Sequence, residues 1–338
     1  MLIIRRGVAR FPLRLGGLCA CGARGGRENP EAMRKLLLAS LLFASVFLRS
    51  GLGTAPASRP TRPLPAVEHV VILMVDGLRP DVLLLADTPV MHGMIRGGAY
   101  TLWARTTDVA ITLPSFTSML TAVRPEKHHV SWNVSQPASG QLYPAVPTVL
   151  EMATNAGYVT ALVAGKSKFA ALSKPGTITH TFVPATAKCS DEEVAAEAVK
   201  IIEAYQPALM GIHFPDNDAA GHAHGWGSPE QLAQLAKTDA QIALVFAALD
   251  RAGMRDSTVV LLSADHGGAG KNHGADDLRS RHIPWVVTGP GVKKGYDLTQ
   301  DAKLQVNTED TGATVCWLLG LPQQPYFDGK PVTAAFGQ

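Results

Sequence analysis

Three stretches of this chain concentrate the residue types that bind divalent metal ions. Asp76-Gly77 follows the apolar run Val67–Val75. Asp216-Asn217-Asp218-Ala219-Ala220-Gly221-His222 follows the run Ala208–Phe214. Ala264-Asp265-His266-Gly267 follows Ser257–Ser263, with Asn272-His273-Gly274 close behind. A single Asp after such a run usually caps a helix or shapes a turn. Capping does not account for Asp76, Asp218, Asp265, His222, His266 and His273 together, at the ends of three runs and each near a Gly. Mixed carboxylate and imidazole ligands suit zinc or another divalent transition metal, whereas calcium and magnesium prefer oxygen alone. Six ligands exceed one open tetrahedral site and suit two.

A nucleophile is offered by Thr112-Leu113-Pro114-Ser115, just ahead of the helical run Phe116–Ala122. Pro114 fits the first turn of a helix, which puts Thr112 at or just before the N-terminus. There the free backbone N–H groups and the helix dipole favour an anion. An ordinary Thr N-cap fits the same position.

These residues need a scaffold that brings distant segments to one edge. Val67–Val75, Val159–Ala164, Ala208–Phe214, Ser257–Ser263 and Ile283–Thr288 are continuous apolar runs rich in β-branched residues, as expected of strands buried on both faces. Amphipathic stretches alternate with them: Thr148–Ala156, Asp191–Tyr205, Pro229–Ala252 and Thr308–Leu319. Ser190 followed by Glu193 is a capping-box pattern. The alternation predicts a three-layer α/β/α sandwich around a mainly parallel sheet, with the ligand site beyond the carboxyl ends of the strands.

The chain has 338 residues, 46% hydrophobic and 17% charged, enough for a sizeable core and against a disordered chain. Its +3 formal charge comes from the N-terminus. Residues 1–57 hold nine Lys/Arg and two Asp/Glu, leaving 22 basic and 26 acidic residues in the rest. No nucleic-acid polymer is expected as partner. Residues 1–57 read as a signal or targeting segment: Met33-Arg34-Lys35, the apolar run Leu36–Leu48, then Ala55-Pro56-Ala57 as a cleavage site, with Met33 the expected start. Thirteen apolar residues are short for a stable membrane span, so the expected location is periplasmic or secreted. Residues 58–66 read as a Pro-rich linker and 67–338 as a single catalytic domain. Two cysteines, Cys189 and Cys316, follow residue 57; they make no disulfide framework, and Cys316 reads as a packing residue.

Together, the segments 75–81, 112–115, 218–222, 264–267 and 272–274 resemble, in order, the alkaline phosphatase superfamily. The similarity is to its Thr-nucleophile branch, which includes type I phosphodiesterase/nucleotide pyrophosphatase-like and phosphonate-hydrolase-like enzymes. The resemblance spans Val70 to the Asp328-Gly329-Lys330 tail. It implies an alkaline-phosphatase-like fold and two divalent metal ions, with zinc the best fit. One ion would be held by Asp76, Thr112, Asp265 and His266, the other by Asp218, His222 and His273. Thr112 would form a covalent phosphothreonine, and Asn133, 21 residues later, would bind a phosphoryl oxygen. The substrate would be a small anionic ester, a phosphate diester first, with phosphonate, phosphomonoester and sulfate ester as alternatives and a silent anion-binding relative as the non-enzyme reading. Lys166 and Lys168 resemble the paired lysines that phosphonoacetate hydrolases use for a carboxylate, although a solvated pair is the commoner arrangement. No Cys-x-Pro-x-Arg stretch of the formylglycine sulfatases is present. Only a short segment separates His266 from His273, which implies a reduced cap, and the stretch His128–Pro147 with Trp132 is the expected lid.

Overall fold

The computed structural model describes residues 61–186 and 188–337. The targeting segment and residues 58–60 of the linker lie outside them. Residues 61–66 lie along the core: Leu64 packs against it, and Arg62 sits over the Tyr158 ring while donating to the Val67 carbonyl.

The scaffold is an eight-stranded sheet. Its strands are β1 (His69–Val75), β2 (Ala99–Arg105), β3 (Thr160–Ala164), β4 (His180–Phe182), β5 (Leu209–Phe214), β6 (Thr258–Ser263), β7 (His282–Thr288) and β8 (Tyr296–Asp297), in the order β4-β3-β5-β1-β6-β7-β2-β8. β1, β3, β4, β5 and β6 run parallel; β7 is antiparallel to both β6 and β2, and β8 is parallel to β2. β5 and β6 are buried along their whole length, in keeping with their mostly apolar content. Register aligns the ends that matter. Val75 pairs with Phe214 and Met74 with Ser263, so the residues after β1, β5 and β6 emerge side by side.

The helices form two groups. Helices α3 (Thr112–Thr121), α5 (Val149–Asn155) and α10 (Thr308–Leu318) pack together on one side, with the short α4 (Pro125–His128) against α3. On the other side α8 (Pro229–Arg251) gathers α1 (Pro80–Leu85), α2 (Pro89–Gly97), α6 (Asp191–Tyr205) and α7 (Asp216–His224). A further short helix, α9 (Leu278–Arg281), leads into β7. The α/β/α architecture read from the alternation is present, and α6 starts with the Ser190–Glu193 capping box. By length and composition α8 could cross a membrane, but its apolar stripe faces α6, α7 and α2.

The structure also holds elements that the pattern did not reveal. β2 is only half buried, and a bulge between Thr101 and Ala104 breaks its alternation. α2 has no side-chain cap of its own; Asp239, on α8, accepts from the N–H groups of Val90 and Met91 at 3.0 and 2.8 Å. The stretch Asp216–His222 is a helix rather than a loop, and this puts Asp218 and His222 four residues apart on one face.

Two helix starts cap each other. Asp191 Oδ1 accepts from the Asp216 N–H at 3.0 Å, and Asp216 Oδ2 accepts from the Asp191 N–H at 2.8 Å; Thr238 Oγ1 donates to Asp191 Oδ2 at 2.5 Å. Burial, reinforced by the Asp216 charge, pushes the Asp191 carboxyl up to about 7. A carboxyl whose folded pKa is raised favours the fold below its unfolded pKa, and that contribution is lost as pH rises through about 7. Asn at this position keeps the acceptor for Asp216, and the Thr238 hydroxyl can turn to accept. Asp191→Asn should therefore be close to wild type at pH 4–5 and more stable by roughly 1–3 kcal/mol at pH 8. Thermal melts across this range check it; a pH-independent difference contradicts it.

Candidate metal centre and nucleophile

Asp76, Asp218 and Asp265 each use one carboxylate oxygen within the protein and present the other. Asp76 Oδ2 accepts from His213 Nε2 at 2.9 Å and Lys166 Nζ at 2.7 Å. Asp218 Oδ2 accepts from Lys166 Nζ at 2.7 Å, and Asp265 Oδ1 accepts from the Gly77 N–H at 3.0 Å. The opposite oxygens, Asp76 Oδ1, Asp218 Oδ1 and Asp265 Oδ2, are buried without a protein partner. Buried polar atoms in native proteins are almost always paired, so three such oxygens in one place point to a cation.

The histidines follow the same rule. His266 Nδ1 lies 2.8 Å from the Gly267 carbonyl, His222 Nδ1 2.9 Å from that of Lys271, and His273 Nδ1 2.9 Å from that of Ala110. A carbonyl accepts, so each Nδ1 carries the hydrogen and each Nε2 is left with its lone pair, the arrangement of metal-binding imidazoles. His266 Nε2 is likewise buried and unpartnered. It lies 3.1 Å from Asp265 Oδ2 and 3.5 Å from Asp76 Oδ1, while His222 Nε2 and His273 Nε2 lie 3.4 and 3.9 Å from Asp218 Oδ1. Two ligand groups result: Asp76, Asp265 and His266, and Asp218, His222 and His273, each with its donor atoms within 4.8 Å of one another. Burial alone would lower the His266 pKa, but Asp265, Asp218 and Asp76 push it up to about 9. The field at that nitrogen calls for positive charge. The donor set fits two transition-metal ions.

Local structure explains how sequence-distant residues hold this geometry. Gly77 adopts φ +68°, and a Cβ there would approach Asp218 at 3.1 Å. Trp226 Nε1 donates to the Gly77 carbonyl at 2.8 Å, and the indole lies against Gly221 of α7 and Gly268 of the His273 loop. One plate thereby connects all three ligand-bearing segments. His213, inside β5, is fully buried, stacked on Phe169 and edge-on to Phe116. Burial lowers its pKa, and the Gly165 N–H points at Nδ1, so neutral His213 donates from Nε2 to Asp76. His213 is thus a satisfied core histidine that also holds Asp76. Trp226 went unrecognised; the glycines at 221 and 268 were the available signal for a large ring packed between them.

Thr112 is the first residue of α3 and is buried. The cap position belongs to Ile111, so the Thr112 hydroxyl is not used as an N-cap. Ala110, with φ +45°, turns its carbonyl to His273 and ties the nucleophile segment to the second ligand group. Asn133 Oδ1 accepts from the Leu113 N–H at 3.0 Å and from Lys168 Nζ at 2.8 Å. Two donors on one atom assign it as the amide oxygen and leave the NH2 as a donor beside Thr112. Lys168 thus meets Asn133, whereas Lys166 points between Asp76 and Asp218. Trp132 is partly buried against the core with an unpartnered indole N–H. A cavity of about 280 Å³ opens beside Asn133, lined by Ser135, Lys166, Ser167, Lys168 and Lys188.

The packing of the His273 loop is directly testable. A Cβ on Gly268 would meet the Trp226 ring at 2.3 Å, while one on Gly274 meets nothing within 4 Å. Gly268→Ala should cost about 1–3 kcal/mol or more in thermal unfolding, and Gly274→Ala should stay within about 0.5 kcal/mol. Equal effects contradict the wedge.

The family model for type I phosphodiesterase/nucleotide pyrophosphatase matches residues 70–281. Arylsulfatase K of Danio rerio is 36% identical over 96 residues, 27% of this chain and 18% of that protein. Alkaline phosphatase PhoD of Zymomonas mobilis is 38% identical over 72 residues, 21% and 12% of the two chains. The chain thus matches under a fifth of the length of these curated relatives. Among solved structures, murine ectonucleotide pyrophosphatase/phosphodiesterase 5 superposes with a TM-score of 0.67 at 15% identity, covering 80% of this chain and all of that one. A putative sulfatase from Bacteroides thetaiotaomicron gives 0.67 at 16% identity, covering 79% and 74%. The two solved structures share the fold. With the family model spanning most of the sheet and all six ligand positions, this chain belongs to the type I phosphodiesterase/nucleotide pyrophosphatase family, a phosphoester-hydrolysing branch of the alkaline phosphatase superfamily.

Proposed function

We propose that this chain is a metal-dependent phosphodiesterase that transfers the phosphoryl group of a small anionic ester to Thr112 and then to water. The observation that carries the reading is the set of four buried, unpartnered donor atoms: Asp76 Oδ1, Asp218 Oδ1, Asp265 Oδ2 and His266 Nε2. Two ions, best zinc, would be held by Asp76, Asp265 and His266 with Thr112, and by Asp218, His222 and His273. When bound they lower the pKa of the Thr112 hydroxyl and neutralise charge on the departing oxygen. The protein's own groups do the remainder. The N-terminus of α3 sets its dipole at Thr112, with the Leu113 N–H already used to hold Asn133. Asn133, fixed through its oxygen by Leu113 and Lys168, offers its NH2 to a phosphoryl oxygen. Thr112 gives up its proton to solvent and its Oγ1 forms a bond to phosphorus as one ester oxygen leaves with its electron pair and is protonated by water; the second ester group stays on the phosphothreonine. Water then cleaves the Oγ1–phosphorus bond, releasing the monoester and restoring the hydroxyl. The targeting segment read at residues 1–57 puts this chemistry in the periplasm or outside the cell.

A second reading is favoured by one observation. Lys168 and Lys188 line the cavity beside Asn133, so a phosphonate or ester bearing a further anionic group fits there. Burial lowers the Lys168 pKa, and the Lys166 charge lowers it further, which an added anion would offset. Bis-p-nitrophenyl phosphate, p-nitrophenyl phosphate, phenylphosphonate, a carboxylated phosphonate and p-nitrophenyl sulfate, compared with zinc present, separate the readings. The diester is expected to have the highest kcat/KM.

Thr112→Ala should lower kcat by about three orders of magnitude or more with Tm retained, while Thr112→Ser keeps measurable turnover. Intact-mass analysis of acid-quenched wild type should find one added phosphoryl group that still carries the retained ester group of the diester, absent in Thr112→Ala. Near-wild-type turnover by Thr112→Ala contradicts the covalent route. Chelation should abolish activity and restoration of zinc should recover it; activity in metal-stripped protein contradicts the role of the ions.

A further inference from the structure

Lys166 is a buried charge inside the ligand cluster that belongs to neither ligand group. It follows β3, its side chain is 13% exposed, and its Nζ lies 2.7 Å from Asp76 Oδ2 and 2.7 Å from Asp218 Oδ2. The ammonium therefore sits behind the carboxylates, on the oxygens turned away from the unpartnered Oδ1 atoms, and joins one carboxylate from each ligand group. His213 donates to the same Asp76 oxygen but is neutral, and the Gly77 N–H serves Asp265. Lys166 is thus the one Lys or Arg bonded to any of the three carboxylates among the described residues; it reaches two of them from behind, while His266 Nε2 faces them from the open side.

We propose that Lys166 is the resident counter-ion of the cluster, a positioning residue that holds Asp76 and Asp218 together before metal ions bind and that weakens ion binding as a consequence. The proposal rests on the metal reading of the six ligands. Three carboxylates crowded in a buried site repel one another, and a buried charge requires a paired one. One ammonium relieves part of that repulsion while the protein folds. Bound ions relieve the same repulsion from the Oδ1 side, so Lys166 matters less once they are present. Whatever stabilises the ion-free form more than the loaded form lowers ion affinity by the same factor. Burial opposes the Lys166 charge, and Asp76 and Asp218 outweigh burial, which keeps the group an ammonium.

The test is a thermodynamic cycle on the full chain, using Zn2+ as the probe. Zinc affinity is read by competition with a chromophoric chelator, and Tm is read with and without zinc. Lys166→Met should lower the Tm of ion-free protein more than that of zinc-loaded protein and bind Zn2+ at least tenfold more tightly than wild type. Lys166→Arg, which keeps the charge, should return both readouts towards wild type. Recovery of Lys166→Met only when zinc is supplied supports the proposal as well. Should it be recovered in neither condition, Lys166→Gln, which keeps hydrogen bonding without charge, carries the same two measurements. Equal losses of Tm with unchanged zinc affinity indicate packing alone and overturn the proposal. Weaker zinc binding means that orientation outweighs charge and overturns it too. So does an unchanged Tm and affinity with a raised KM, the mark of a substrate-binding lysine. A wild type that takes up no zinc overturns the metal reading and this proposal with it, whereas a wild type that binds zinc beside a variant that binds no tighter overturns this proposal alone.

Discussion

Three buried carboxylates at the ends of adjacent parallel strands are the constraint on which the structure turns. Asp76 and Asp265 are fully buried and Asp218 is nearly so, and each charge in such a place needs partners on every side. The protein supplies half of them. Gly77, His213 and Lys166 bond the rear oxygens, and the three ligand histidines are turned by backbone carbonyls so that Nε2 faces inward. The front atoms stay open. The supporting features serve that division: Gly77 in its left-handed turn, Trp226 wedged among three segments, and Ala110 turning its carbonyl to His273.

The sheet makes this economical. Strands β1, β5 and β6 share a register that ends all three at one edge, so ligands more than 180 residues apart in sequence meet without long loops. Thr112 arrives from the helical layer rather than from a strand end, at a helix start whose dipole favours an anion. The proposed metal ligands, the proposed nucleophile and Asn133 therefore come from separate elements, linked by the Ala110–His273 and Leu113–Asn133 hydrogen bonds. A change in one element is felt in the others through these two bonds.

Much of this was legible in the sequence, and the limits have physical causes. The parallel strands β1, β3, β5 and β6 stood out because both of their faces are buried, which leaves unbroken apolar runs. The ligand residues stood out because they directly follow those runs. Helix α2 stayed hidden because Asp239, far along the chain, supplies its cap, and β2 because a bulge breaks its alternation. Lys166 beside Lys168 reads as a pair, yet the two ammonium groups diverge, one to Asp76 and Asp218 and the other to Asn133. Spacing shows which residues are near one another in the chain, not which oxygen each one meets.

The central claim is that the front atoms of this cluster hold two ions, one per ligand group, with Thr112 on the first. Anomalous diffraction from crystals of zinc-loaded protein, collected on both sides of the zinc edge, tests it most directly. The account predicts two anomalous peaks about 4 Å apart. One should be bonded to Asp76 Oδ1, Asp265 Oδ2, His266 Nε2 and the Thr112 hydroxyl, the other to Asp218 Oδ1, His222 Nε2 and His273 Nε2. A single peak, or peaks away from these atoms, would contradict it.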